Sequence, residues 1–404
     1  LSGIGIEKAP TQRGKKAVMI ANIIANLGIL GVYKYYDFFA REFAQLFGIE
    51  SDFLLLHLIL PVGISFYTFQ ALSYSIDVYR KQIAPTHDVV AFTAFLSFFP
   101  QLVAGPIERA TNLLPQFQKK RSFDYATAVD GMRQILWGLF KKIVVADNCA
   151  TYVDTVFADL SNQSGSTLVL AAVLFTFQIY GDFSGYSDIA IGTAKLFGIK
   201  LMRNFNVPYF SRDIAEFWRR WHISLTTWFR DYVYIPLGGS KKGTVRTYFN
   251  ILIVWLLTGF WHGAAWNFIL WGLYFAILLL IEKKFLLKVL EGKALISHIY
   301  VLFACAISFV IFNGENLSEI LADLSGMFGV GDIPFVTAET IYYLKHYLSV
   351  LIIAVVGATP LVKNFAIKHE KLKTIEPLVL LGLMIVITAY LIDGSFNPFL
   401  YFRF

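Results

Sequence analysis

Apolar residues in this chain fall in long unbroken runs: Ala17–Tyr33, Phe53–Tyr74, Val89–Gly105, Leu168–Leu196, Tyr248–Trp261 with Trp266–Ile281, Ile299–Phe312, Tyr347–Leu361 and Leu378–Ile392. Several approach or exceed the roughly 20 residues that a helix needs to cross hydrocarbon. Open strands leave backbone groups unpaired in lipid, and the alternating ten-residue pattern of a barrel is missing. The runs therefore predict membrane helices. Two stretches fit less simply. Ala126–Ala146 places Asp130, Arg133, Lys141 and Lys142 in an otherwise apolar run, and Arg203–Ser240 mixes Arg203, Arg212, Arg219, Arg220 and Arg230 with Trp218, Trp221, Trp228 and Phe229. Such segments are expected to lie along the interface or dip into a protein-lined cavity, where irregular elements border a substrate path.

Composition agrees with an all-α polytopic membrane protein. Of 404 residues, 56% are hydrophobic and 16% charged, whereas soluble globular chains carry about 25% charged residues. Soluble enzymes, secreted disulfide scaffolds and disordered chains are excluded. Cys149 and Cys305 are too few for a disulfide framework or a metal cluster. The net charge of +7 comes from short inter-helix clusters, so topology explains it and no nucleic-acid partner is expected. Lys283, Lys284, Lys288 and Lys293 form one cluster, and Lys363, Lys368, Lys371 and Lys373 another. From Ala294 to Leu344 there is no Lys or Arg, but there are Glu315, Glu319, Asp323, Asp332 and Glu339. The positive-inside rule puts the lysine clusters in the cytoplasm and the acidic segment outside.

Three segments carry candidate chemistry. In Ser211–Tyr234, helical spacing gathers Ile214, Trp218, Trp221, Leu225, Trp228 and Tyr232 on one face, with His222 at its edge beside the Arg219/Thr226/Arg230 flank. Ser211 or Asp213 is placed to cap the start, and Pro236-Leu237-Gly238-Gly239 to end the element. The alternative reading is an interfacial helix with anchoring Trp and Arg and an incidental histidine. In Trp255–Gly272, His262 lies in an apolar run flanked by Gly259, Gly263, Ala264 and Ala265. Small residues admit close approach, and an ionisable group at this depth is a functional candidate. Imidazole can serve there as a general base without carrying a buried charge; a packed histidine bonded to a carbonyl is the alternative. His57, equally apolar in context but without the Gly/Trp surroundings, reads as structural. No pair has the spacing of a metal site, so no metal is expected. In Phe177–Gly192, Asp182 and Asp188 stand beside a slim face of Gly181, Gly185 and Gly192. They read either as a proton relay in a transporter or as structural carboxylates bonded to Arg or Trp across the bundle.

The runs YGDFSGYSDIAIG, RDIAEFWRRWHISLTTWFRDYVYIPLGG and WHGAAWNFILWG, in this order, resemble the membrane-bound O-acyltransferases, and the terminal NPFLYFRF resembles their alginate O-acetyltransferase branch. The likeness covers the chain from about Asp52 onward. It implies a single transmembrane domain over residues 1–404, a multi-helix bundle with re-entrant helices around a central channel, and a multi-pass place in a bacterial inner membrane. It further implies one to three spans ahead of Leu1. The family's histidine in an apolar helix matches His262, and its second polar residue matches His222, forty positions earlier. The resemblance implies acetyl-CoA as donor substrate with no bound cofactor, an exported polysaccharide as acceptor, and an extracytoplasmic acetyltransferase as partner. In that setting Trp261, Asn267, Trp218 and Asp182 become candidates for supporting substrate or oxyanion, and Arg212, Arg219 and Arg220 for a mouth that meets the donor's phosphates. The D-alanyl-transferring branch is similar around WRRWHISLTTWFRDY but usually lacks the PLGG and WHGAAWNF continuations; it stands as the alternative, with a proton-coupled transporter or a partner-recruiting scaffold as rivals from other classes.

Overall fold

The computed structural model describes residues 1–159, 162–330, 334–369, 372–394 and 397–399. Asp332, Lys371 and the last five residues of the terminal NPFLYFRF run lie outside them. Every regular element among the described residues is helical. Among the described residues, four helices are long and apolar enough to cross a bilayer: Gln12–Phe47, Gly165–Leu196, Ala294–Asn313 and Thr374–Asp393. Ala338–His346 and Leu348–Gly357, bent by 57° at their junction, make a fifth candidate as a broken span. The protein is a polytopic membrane protein.

Several runs are interrupted where local chemistry overrides hydropathy. Phe53–Tyr74, expected as one span, becomes helical only at Ile64. Pro61 lacks an amide hydrogen and pushes the residue before it out of the helical region. Gly63 then adopts φ 77, and a Cβ there would stand 2.4 Å from the Leu102 carbonyl oxygen. His57 consequently lies in an exposed loop with φ 47, and the Asp37 carboxylate accepts from the Leu56 and His57 amides at 2.9 and 3.1 Å. Val89–Gly105 likewise breaks, into Val89–Ser97 and a short turn Phe99–Leu102 containing Pro100. The charged run Ala126–Ala146, which fitted a simple span poorly, is helical throughout: Tyr125–Leu139 passes through a π-turn, Phe140–Ala146, into Asp147–Phe157. Apolar length alone could not show which charges find partners.

The described chain forms two compact units, residues 1–131 with 190–202 and residues 132–189 with 203–404. The core of the first is Ile6, Tyr74, Val78, Phe95, Leu113, Leu114 and Ile199, with their buried neighbours. A polar seam accompanies it, in which Ser75 Oγ meets Ser2 Oγ and accepts from Asn22 Nδ2, each at 2.8 Å. In the second unit the helix Gly165–Leu196 packs on Tyr125–Leu139 and its π-turn through glycines. A Cβ on Gly138 would lie 2.5 Å from the Gly185 carbonyl oxygen, and one on Gly185 2.7 Å from that of Gly138. This contact aligns the charges. Lys142 pairs with Asp182 at 2.6 Å and Asp147 at 2.8 Å, and Lys141 pairs with Asp188, which also accepts from Gln134. The carboxylates of the YGDFSGYSD run thus meet lysines.

Removing one partner of a buried pair leaves an uncompensated charge, at a cost of about 3–5 kcal/mol. Lys142→Met is expected to lower thermal stability in detergent by an amount of that order. Adding Asp182→Leu should restore most of it, as read by the melting temperatures of the single and double variants.

Candidate functional site

The segment Ser211–Tyr234 is two short helices, Ile214–Arg220 and Ile223–Phe229, followed by a π-turn, Arg230–Tyr234. The single amphipathic helix read from spacing is broken at Trp221–His222. Its apolar residues Ile214, Trp218, Trp221, Leu225, Trp228 and Tyr232 are nevertheless all buried. Asp213 caps the first helix by accepting from the Glu216 amide, and Glu216 accepts in return from the Arg212 amide at 2.8 Å. Glu282, itself buried, accepts from the amides of Ile214 at 2.6 Å and Ala215 at 3.4 Å. The orphan donors of this helix start are thereby met by carboxylates, which also suit the positive end of the helix.

At the break, His222 takes a left-handed conformation, φ 42 and ψ 53. For a non-glycine residue this costs of order 1–2 kcal/mol and persists only where the surroundings hold it. The irregular segment at Asn204–Asn206 does so. The Ile223 amide donates to the Asn204 carbonyl and the Asn206 amide to the Arg220 carbonyl, both at 2.9 Å. The backbone groups freed by the break are therefore paired inside the protein, as burial demands. His222 is 1% exposed and Asn204 fully buried. The His222 ring stands edge-on to Phe183 with centroids 4.7 Å apart, and 6.1 Å from Trp261.

His262 comes from a different element. It ends the helix Thr244–His262, Gly263 is extended, and Trp266–Ile281 returns antiparallel. Glycines bring the two helices together: a Cβ on Gly259 would lie 2.2 Å from the Phe268 carbonyl oxygen, and one on Gly272 2.3 Å from that of Trp255. Gly263 faces the Phe268 ring, which a Cβ would meet at 2.0 Å. The Gly/Ala run flanking His262 is thus what lets the hairpin close. His262 is 9% exposed. Its ring lies 5.0 Å from Trp261, 5.0 Å from Trp271 and 5.5 Å from Phe312, all edge-on. Trp271 in turn meets Trp218 at 5.5 Å, and Trp218 meets Trp255 at 4.6 Å. The indole N–H groups of Trp218 and Trp271 are buried without a hydrogen-bond partner among the described residues.

The structure therefore brings His222, Trp261, His262 and Trp218 into one aromatic cluster, with the two histidines on the same tryptophan. Asn267 stands beside it, donating to the Phe312 carbonyl at 2.8 Å. Asp182 is committed to Lys142, one residue before Phe183. Of the arginines, Arg220 pairs with Glu216 at 2.6 Å, Arg219 approaches Asp213 at 3.9 Å, and Arg212 is exposed. Sequence reasoning missed Asn204, Ser224, Phe312 and Glu282. Asn204 precedes His222 by eighteen residues, and its role depends on a chain crossing that no local pattern announces. His298 is half-buried and bonds the Ser211 carbonyl through Nδ1 at 2.9 Å.

The sequence profile of the membrane-bound O-acyltransferase family matches residues 80–290. A probable alginate O-acetylase of Pseudomonas putida is 35% identical over 424 aligned positions, covering 99% of this chain and 86% of that protein. One of Azotobacter vinelandii is 40% identical over 335, covering 81% of this chain and 66% of that protein. A peptidoglycan O-acetyltransferase of Helicobacter pylori is 36% identical over 355, covering 79% of this chain and 66% of that protein.

The hairpin contact makes a direct prediction. Gly259→Leu must part the helices that present His262, and overpacking of this kind typically costs about 1–3 kcal/mol or more. The variant should melt well below the parent in detergent. Gly28→Leu, where a Cβ meets nothing within 4 Å, should melt with the parent.

Proposed function

Because this chain belongs to the membrane-bound O-acyltransferase family, we propose that it moves acetyl groups from cytoplasmic acetyl-CoA towards hydroxyls of an exported cell-surface polysaccharide. The acceptor is the sugar itself or an extracytoplasmic partner acetyltransferase that passes the group on. The observation that carries this reading is the pair of buried histidines, drawn from two separate elements, sharing Trp261 inside a wall of tryptophans.

The chemistry follows from the groups in that wall. His262 accepts the proton of the acceptor hydroxyl as its oxygen attacks the thioester carbonyl. The tetrahedral intermediate carries an oxyanion, for which the indole N–H groups of Trp218 and Trp271 are available donors. Collapse breaks the carbon–sulfur bond, and the departing thiolate takes the proton back from the imidazolium. Water kept out by the aromatic wall cannot compete for the acetyl group. Arg212 and Arg219, exposed near the start of the first short helix, supply positive charge for the donor's phosphates. Asn267 steadies the wall through Phe312, which packs on His262. The ion pairing of Asp182 and Asp188 with lysines suits a structural role better than a proton relay.

Loss of a general base costs about 10²–10⁴ in rate, or roughly 3–5.5 kcal/mol of barrier. His262→Ala, assayed in membranes with labelled acetyl-CoA, is expected to lose detectable transfer while keeping the parent's melting temperature. Substantial residual transfer would remove His262 from the mechanism. Label taken from a D-alanyl carrier protein in place of acetyl-CoA would reassign the donor.

A further inference from the structure

Asn204 determines which nitrogen of His222 carries the proton. Asn204 Oδ1 accepts from the Ser224 amide at 3.3 Å and from Ser224 Oγ at 2.8 Å. A backbone N–H can only donate, so the atom it faces is the amide oxygen. Asn204 Nδ2, on the opposite side, donates to Ser187 Oγ at 3.2 Å, which agrees with that orientation. His222 Nδ1 lies 3.1 Å from the same oxygen. An amide oxygen accepts only, so Nδ1 must carry hydrogen. In the neutral ring Nε2 then holds a lone pair. That nitrogen is buried and has no hydrogen-bond partner among the described residues, and the rings of Phe183 and Trp261 pack against the imidazole. An unmet buried acceptor is costly, and the backbone at His222 is held left-handed as well.

We propose that Asn204 is a positioning residue that locks His222 as the Nδ1–H tautomer, so that Nε2 accepts a hydrogen bond from a donor entering the site. This rests on the acyl-transfer reading above and deepens it. A thioester carbonyl offers no hydrogen, so His222 in this state cannot hold the donor carbonyl or its oxyanion through Nε2. Its ligand is the hydroxyl of the acetyl acceptor, and its work is to orient that hydroxyl beside Trp261, the ring it shares with His262. Ser187 and Ser224 complete the device: one receives the amide N–H, the other gives the oxygen its remaining donors. The network links the YGDFSGYSD run of the long helix to the histidine of the broken one.

The test has two independent readouts. In protein labelled with ¹⁵N-histidine, the His222 signal, assigned by its loss in His222→Gln, should show a protonated Nδ1 and a lone-pair Nε2. Asn204→Asp, which keeps the acceptor oxygen, should preserve this signature, and Asn204→Leu should lose it. In membranes with labelled acetyl-CoA, Asn204→Leu should lower kcat about 100-fold with little change in the KM for acetyl-CoA, and Asn204→Asp should restore most of the rate. A protonated Nε2 in the unmodified protein overturns the proposal, and needs no Asn204 variant to fold. So does an Asn204→Leu variant with normal turnover. If the unmodified protein shows the expected tautomer yet moves no acetyl group, the acyl-transfer reading fails while the assignment of the proton stands.

Discussion

A buried polar backbone group needs a hydrogen-bond partner, and the break at Trp221–His222 is where this constraint shapes the candidate site. A helix interrupted in water is repaired by solvent; one interrupted among buried tryptophans needs protein partners. The Asn204–Asn206 segment supplies them with its backbone, and Asn204 adds its side chain. One crossing of the chain thus makes the broken helix tenable and presents an imidazole at a defined angle. The left-handed turn at His222 is the residual strain of that solution.

Two kinds of packing surround this point. Glycines bring backbones together, at Gly138 with Gly185 and at Gly259 with Gly272, because without a hydrophobic drive between helices in lipid, close van der Waals contact carries association. Aromatic rings fill the space that remains, edge to face, from Phe183 through Trp261 and Trp271 to Trp218 and Trp255. Rings of this size have few rotamers to lose and exclude water over a large area. The result is a rigid, dry setting for two imidazoles, and a rigid setting is what positional catalysis needs.

The paired charges do different work. Lys141 and Lys142 answer Asp188 and Asp182 and register the long helix against its neighbour, while Glu282 and Asp213 fix the start of the first short helix. The second group sets where the short helix that leads to His222 begins, and the first fixes the long helix that carries Phe183, the ring against His222. The ion pairs lie outside the aromatic cluster, which keeps their desolvation cost away from the two imidazoles that the proposed transfer would use.

Hydropathy by itself determined that the chain is helical and embedded in lipid, because the requirement is set by the length of apolar runs and by nothing beyond them. The residues flanking His262 likewise announced a close backbone approach, since only glycine or alanine tolerates it. What the sequence left open was every feature that depends on two distant segments meeting. Pro61 and Pro100 shortened expected spans, and the charged run at Ala126–Ala146 became helical once its lysines found aspartates forty or more residues away. Helical spacing placed His222 on the rim of one continuous face. Only the tertiary structure broke that helix and buried the ring against Asn204, because the hydrogen bonds that stabilise the break come from a segment eighteen residues earlier, and local periodicity carries no information about partners that arrive from elsewhere in the chain.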